Sequence, residues 1–506
     1  MPGWNYVRPI TISNSGSALT NYQVLVSNPI YNETGLVGSW HFDENSGTTA
    51  YDTSGKNNNG TLINGPTWVD GKFGKALSFD GVNDVVSLGT TGIPSGNSQY
   101  AIMAWIKPNA MGNYGIMGWG SWGTTNAVNA FRLSATGLVN YWWLNDLAVT
   151  TQNLADGNWH QVVAQFDGTT RSIWVDGVKK GQDTPTGHNA VATNVNIGRT
   201  SVSEYFYGLI DEVRIYNRAL SAGEINSLYQ AKAKPNYGDI RFTDANGVSL
   251  LNYWMEADGK FWVKVPSVPA GGKTIYVYYG NPNATLASNG DATFIFFDDF
   301  LGNALDTTKW TILQQAPGAV ISVNNSYLTL KGSATSPYDA VIVSKSFGTM
   351  TTPFIIETQR FQILQSPTSR NRFYGYTTNG YRVGMDRVAG GYQDIGAFYD
   401  GSNAPAEWYV DGFTDVMLST SKQYHWRYTF TPSNNIKMDV WDENETLVGS
   451  WSGTTYMLDV GTTTTDTIDR VYLGATSQAS SNFKVDWVRV RKYASTEPTT
   501  SVGSEM

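Results

Sequence analysis

The chain contains no cysteine, which excludes a disulfide framework and any thiolate metal site. It does not exclude secretion, because 506 residues can build stable cores without covalent staples. Charge is also scarce: Asp, Glu, Lys and Arg make up 15% of the chain, well under the usual quarter of a globular protein. The formal net charge is -8 and no basic cluster interrupts it, which argues against nucleic acid and against anionic membrane surfaces as partners. No apolar run approaches the ~20 residues that span a bilayer, so no membrane insertion is expected. The opening Met1-Pro2-Gly3-Trp4 carries neither a basic nor an apolar segment, so no signal peptide is readable here. Also missing are Gly-x-Ser-x-Gly, His-Glu-x-x-His, a phosphate-cradling glycine loop and the twelve-residue calcium loop of EF-hands. The four histidines, His41, His160, His188 and His425, are scattered. A hydrogen-bonded structural role is their default.

What the chain does have is aromatic rings and turns. Its 18 Trp, 29 Tyr and 20 Phe favour strands, and its 52 Gly supply corners. Val162 to Phe166 and Ser172 to Val175 bracket Asp167-Gly168 as a hairpin, and Asp176-Gly177 supplies the next turn. Similar Asp-Gly or Asn-Gly turns begin at Asp70, Asp80, Asp156, Asn246, Asp258 and Asp411. Short strands at regular spacing read as β-sandwiches rather than α/β units. One helix is expected: Ser221-Ala222-Gly223-Glu224 is a capping box, followed by Ile225, Leu228 and Tyr229 on one stripe. The fold class is therefore all-β, tandem β-sandwiches with one short helix.

Two stretches repeat one scheme. Trp159-His160, a hairpin and Trp174 in the first correspond to His425-Trp426, a strand pair and Trp441 in the second, with equal Trp spacing. Each opens on an acidic strand end, Phe42-Asp43-Glu44 or Phe297-Asp298-Asp299-Phe300. Each closes on a matching strand, Ile210 to Tyr216 or Val485 to Val490. Two sandwiches of one architecture follow from that parallel.

The segments Gly35 to Glu44, Asp52-Thr53-Ser54-Gly55, Ala76 to Gly81 and Gly208 to Arg214 resemble a laminin-G-like, concanavalin A-like domain. That resemblance implies a two-sheet jelly roll, usually non-catalytic, often glycan-binding and often holding a structural calcium. The flanks resemble an uncharacterised domain family of secreted archaeal and bacterial proteins. Its opening matches Trp4 to Ile12, and its later half matches Asp239 to Asp244, Tyr253 to Glu256, Trp262 to Pro266 and Ile275 to Pro282. The expected organisation is a discontinuous domain of residues 1–28 plus 238–296 and an inserted laminin-G-like jelly roll at 29–237. A second concanavalin A-like jelly roll at 297–493 and a linker tail at 494–506 complete it. Insertion is tolerable at an exposed loop when the guest's termini lie close together. The tail, rich in Ser, Thr and Glu, reads as leading to further domains of a secreted or cell-surface parent protein.

Sugars present apolar C–H faces ringed by hydroxyls, so their sites pair an aromatic platform with polar partners. Trp119, Trp122, Trp142 and Trp143 are the candidates in the first jelly roll, and Tyr374, Tyr376, Tyr381 and Trp408 in the second. In a strand, adjacent Trp142 and Trp143 would point to opposite faces, one core and one exposed. By resemblance, Asp43 with Asp211 and Asp298 with Asp486 would hold calcium; otherwise these residues cap turns or pair with Arg214 and Arg489. Concanavalin A-like glycosidases carry a Glu-x-Asp-x-x-Glu strand that sets two carboxylates on one sheet face. The nearest approach here, Glu256-Ala257-Asp258, runs into Gly259 and has no later Glu. The expected function is thus a non-catalytic, polysaccharide-recognising accessory region with structural calcium. A polysaccharide hydrolase module and a protein-recognising adhesin or spacer are the alternatives.

Overall fold

The computed structural model describes all residues except 201–202, 231, 325, 334–339, 349, 351–352, 364–369, 378–380, 388–392, 400–407, 410–421, 432–434, 444, 455–467, 477–481, 504 and 506. About 51% of the chain is strand and 3% helix, so the all-β class holds. The capping box forms as expected at the helix Ala222–Gln230. Ser221 N–H donates to Glu224 Oε2 at 2.8 Å, and Glu224 N–H donates back to Ser221 Oγ at 3.2 Å. A second, one-turn helix, Gly290–Thr293, starts at Asn289, whose side chain accepts from Ala292 N–H.

Residues 36–216 build two facing antiparallel sheets of eight strands each. The front sheet runs from the edge strand Asp146–Thr150 through Gly137–Tyr141, Val128–Leu133 and Gly115–Gly120 to the short strands Asn196–Ile197, Val85–Ser87, Gly60–Ile63 and Thr49–Ala50. The back sheet centres on His160–Phe166, Tyr100–Pro108 and Tyr207–Tyr216. Between them lie Trp40, Tyr100, Trp119, Phe131, Leu138, Trp142, Phe166 and Ile215, all essentially sealed from water. Period-2 alternation decides which side chains go inward: Asn129, Phe131 and Leu133 face the core, while Val128, Ala130 and Arg132 face outward.

The two outer faces of this sandwich meet different fates. On the back sheet, Ala101, Met103, Val163, Trp174 and Tyr216 join one buried cluster with Ile10, Val24, Val263 and Ile275 of a second unit, and with Ile225 and Leu228 of the helix. That coverage explains why every residue of His160–Phe166 is buried. The front sheet has no such neighbour. Its outer apolar residues form a small separate cluster roofed by two tryptophans.

In the second unit the strand Tyr6–Ser13 pairs with Lys273–Tyr279, Ile10 opposite Ile275. The strand Leu19–Ser27 pairs with Lys260–Val268, Val24 opposite Val263. The stretch 494–506, read above as a linker, contributes Thr499–Val502 as an edge strand beside Tyr6–Ser13, with Ile10 opposite Val502. Its Thr and Val are β-formers despite their polar company. Two carboxylates pin the stretch down: Glu497 meets Arg491 at 2.8 Å, and Glu505 meets Lys232 at 2.7 Å.

Residues 296–492 form nine- and seven-stranded sheets around Trp310, Phe361, Trp426, Phe483 and Val488. Arg489 ties this region to the second unit, its Nη1 2.7 Å from Glu256 and its guanidinium over Trp262 and Trp487 at 4.3 and 4.2 Å. Buried Glu357 accepts from Arg427, Arg489 and Arg491 at 2.7–2.9 Å, and these guanidinium groups hold its carboxyl well below the usual carboxylate range. Removing one partner of such a sealed network costs about 3–5 kcal/mol, because the remaining charge has nowhere to go.

Candidate functional site: the uncovered face of the front sheet

The site is built on three adjacent strands. Val128–Leu133 pairs with Gly137–Tyr141, setting Ala130 opposite Tyr141 and Arg132 opposite Val139. Val128, Ala130, Val139 and Tyr141 make an apolar floor, and Trp122 and Trp143 pack on it, each half-buried. Gly118 makes room for the first ring: a Cβ there would lie 2.9 Å from the edge of the Trp122 indole. The Trp122 Nε1–H is buried and has no hydrogen-bond acceptor among the described residues.

Polar groups border the rings. Tyr141 O–H donates to Glu204 Oε2 at 2.8 Å and to the Thr200 carbonyl at 3.0 Å. Burial and the neighbouring Glu204 push this phenol above its ordinary range, so it stays protonated and donating. Arg132 reaches Glu204 at 3.3 Å, donates to Asn113 Oδ1 at 2.5 Å and lies 5.5 Å over the Tyr141 ring. Half-buried rings beside a fixed donor–acceptor set can stack a sugar and orient its hydroxyls.

Trp143 reaches its place through an unusual turn. The strand Gly137–Tyr141 ends at Tyr141, and Tyr141 pairs with Asp146 across a two-residue hairpin. Trp142 N–H donates to Asn145 O at 3.2 Å, closing it. The central residues, Trp143 and Leu144, have φ of 68° and 60°, the type I′ pattern that normally selects Asn-Gly or Asp-Gly. A side chain in the left-handed region costs about 1–2 kcal/mol for each residue without local compensation. Leu144 is nevertheless 81% exposed, burying almost nothing in return.

The strand-based expectation for Trp142 and Trp143 is therefore corrected: they occupy a corner, where successive residues do not alternate. Trp142 is fully buried, stacked on His188 at 4.0 Å and donating to Tyr100 Oη at 3.0 Å. Trp119 is also sealed in the core, donating to the Pro94 carbonyl at 2.9 Å. Neither offers a ring face to a ligand; truncating either to Ala would cost about 3–5 kcal/mol of stability. Tyr374, Tyr376, Tyr381 and Trp408 fall in strands whose pairing is described, but their side chains lie outside the described residues. Tyr141, Arg132, Glu204 and Asn113 were not singled out from sequence, although the alternation Val128-x-Ala130-x-Arg132 and Val139-x-Tyr141 marks an outward stripe.

The acidic candidates cap turns. Asp43 Oδ1 accepts from Lys75 N–H at 2.8 Å, and its Oδ2 accepts from Asn236 at 2.6 Å. Asp211 Oδ2 accepts from the N–H groups of Lys72 and Phe73 at 2.8 and 3.0 Å, while its buried Oδ1 has no partner among the described residues. Burial and the adjacent Glu212 push the Asp211 carboxyl well above the carboxylate range. One orphaned oxygen fits a cation there. Asp298 does not fit, because Phe300 N–H and Trp310 Nε1–H, at 2.8 and 2.6 Å, occupy both of its oxygens. Asp486 lies on the loop before Trp487–Lys492, and its N–H donates to Gln359 O at 3.3 Å. No cluster of three or more metal-ligating side chains occurs among the described residues.

Residues 80–226 match the concanavalin A-like lectin/glucanases superfamily, and residues 236–313 match a domain of unknown function, DUF2341. The chain thus carries a concanavalin A-like domain of laminin-G type followed by a DUF2341 domain. No curated protein matches it. Among solved structures it is similar to domain 4 of AbnA, an extracellular arabinanase from Geobacillus stearothermophilus, in complex with arabinotriose. Identity there is 24%, over 38% of this chain and 98% of that one, with a TM-score of 0.31. The binding domain of Paraclostridial Mosquitocidal Protein 1 is 11% identical over 87% of this chain and 97% of its own, with a TM-score of 0.34. An endo-acting O-glycanase of the human gut microbiota is 16% identical over 40% and 100%, with a TM-score of 0.31. No helix among the described residues is long and apolar enough to cross a membrane.

Proposed function

We propose that this chain is the non-catalytic, polysaccharide-binding region of a larger secreted or cell-surface protein. In this reading a laminin-G-like jelly roll is inserted into the DUF2341 unit, and a second concanavalin A-like sandwich follows. The glycan lies on the uncovered outer face of the front sheet, stacked on Trp122 and Trp143 and hydrogen-bonded by Arg132, Glu204 and Tyr141. The observation that carries the proposal is the asymmetry of the jelly roll. Its back face is buried against a neighbour, while its front face is roofed by two half-buried indoles, one with an unused N–H.

The test is retention of the whole chain on a panel of insoluble polysaccharides. The wild type is retained by at least one, and Trp122→Ala abolishes retention while the melting temperature stays within a few degrees. Release of reducing ends with turnover would identify a hydrolase instead, and absence of retention would favour a protein-recognising adhesin or spacer. Calcium is a separate part of the proposal, confined to Asp43 and Asp211. If it binds there, EDTA lowers the melting temperature, since a ligand of the native state must raise stability; an unchanged melting curve removes it.

A further inference from the structure

We propose that the strained turn itself, Trp143-Leu144, is the affinity- and specificity-determining element of this site, and that the glycan it grips is uncharged. This inference rests on the reading of the front face as the sugar site and adds which residues select the ligand and what they select.

The turn requires two left-handed residues, a demand that Asn-Gly or Asp-Gly meets without strain. The same jelly roll meets it that way at its other two-residue hairpin, where Val175 pairs with Val178 across Asp176 and Gly177, φ 51° and 75°. At 143–144 the strain-free solution is replaced by the two side chains with the most apolar surface to present. Trp143 is explained in part by its packing over Val139 and Tyr141. Leu144, exposed by 81%, has no such reason. A strained residue that stabilises nothing in the free protein is accounted for by contact with something not yet bound. Next to Trp122 and Trp143, that contact is with the apolar C–H face of a sugar.

Charge narrows the ligand. The carboxylates bordering the face are Glu204 and Asp146, the latter opposite Tyr141 on the exposed edge strand. Arg132 is the guanidinium on this face, and Glu204 already neutralises it at 3.3 Å. Arg171 lies on the inner side, fully buried, its Nη2 2.6 Å from Asp183. A uronic or sialic acid would meet net negative charge here with no free cation among the described residues. A neutral hexose or pentose chain meets only rings, an aliphatic tip and hydrogen-bonding groups.

The test uses the full chain, with Leu144→Gly and Leu144→Asn beside Trp122→Ala. Retention is measured on cellulose, xylan, mannan and chitin as uncharged probes, and on polygalacturonate and alginate as charged ones. The expected result is a melting temperature about 2 °C higher in both Leu144 variants, with retention on the uncharged probe weakened at least tenfold. If the Leu144 variants bind like wild type while Trp122→Ala does not, the turn inference is overturned and the face stands. If the Leu144 variants melt lower, the strain argument is overturned. Preferential retention on polygalacturonate or alginate overturns the neutral ligand, and retention on nothing removes the face and the turn together.

Discussion

The hairpins at Asp176-Gly177 and Trp143-Leu144 bend the chain through the same left-handed pair of residues, at opposite sheets of one jelly roll. The first uses a glycine that slips in without strain, and an aspartate that also works: Asp176 Oδ2 lies 2.8 Å from His160 Nδ1, and its Oδ1 accepts from Gln161 N–H at 2.9 Å. The second places an indole and an isobutyl group where neither is favoured. A turn that serves only the fold converges on the cheapest chemistry. One that departs from it, with the departing side chain in solvent, is shaped by something outside the fold.

Exchanging the chemistry of the two turns breaks or sharpens this contrast. The largest effect belongs to Gly177→Leu. It imposes left-handed strain, and its Cβ would sit 3.3 Å from both Tyr229 and Asn226 of the helix. Denaturant melts should show a loss of about 2–3 kcal/mol, with polysaccharide retention unchanged; no loss would mean that such turns carry no strain in this scaffold. The reverse change, Leu144→Asn, should gain about 0.5–1 kcal/mol, since Asn tolerates the left-handed region and little packing is lost. A neutral or negative result would remove the asymmetry between the two hairpins.

The smallest effect is a difference in pH response. The hydrogen bond to Asp176 raises the His160 pKa, partly opposed by burial, with Asp156 at 3.1 Å adding to the rise. A raised folded pKa stabilises fully below the unfolded value of about 6.5, and that contribution fades as pH climbs through the folded pKa. Amide exchange, corrected for intrinsic rates, should therefore show the 176–177 turn losing protection between about pH 6 and 9. The 143–144 turn, with no group in its loop that titrates in that window, should not. His160→Gln should abolish the difference; an unaltered profile would unlink His160 from the turn.

The sequence made the Asp176-Gly177 corner and the Ser221–Glu224 cap legible, because both use side chains whose local chemistry has one obvious outcome. It hid the Trp143-Leu144 corner for the converse reason: bulky apolar residues spell strand, and tertiary context overrode that preference. Trp119 and Trp122, flanked by glycines, suggested a loop. In fact the glycines serve close approach inside the sheet, and a Cβ on Gly118 would meet the Asn129 carbonyl at 2.9 Å. The covered back face was unreadable in principle, since its coverage depends on strands far away in the chain. The tail at 494–506 was misleading through composition alone, where a four-residue edge strand among Ser, Thr and Glu carries little hydrophobic signal.

That edge strand has a mechanical consequence. Because Thr499–Val502 runs antiparallel to Tyr6–Ser13 with Val502 opposite Ile10, the outward ends of both strands emerge on the same side. Tension between them peels the pairs open one at a time, as a zipper, instead of shearing them all at once. Under load the strand is the first part to let go, and the jelly roll that carries the indoles stays at rest until it has.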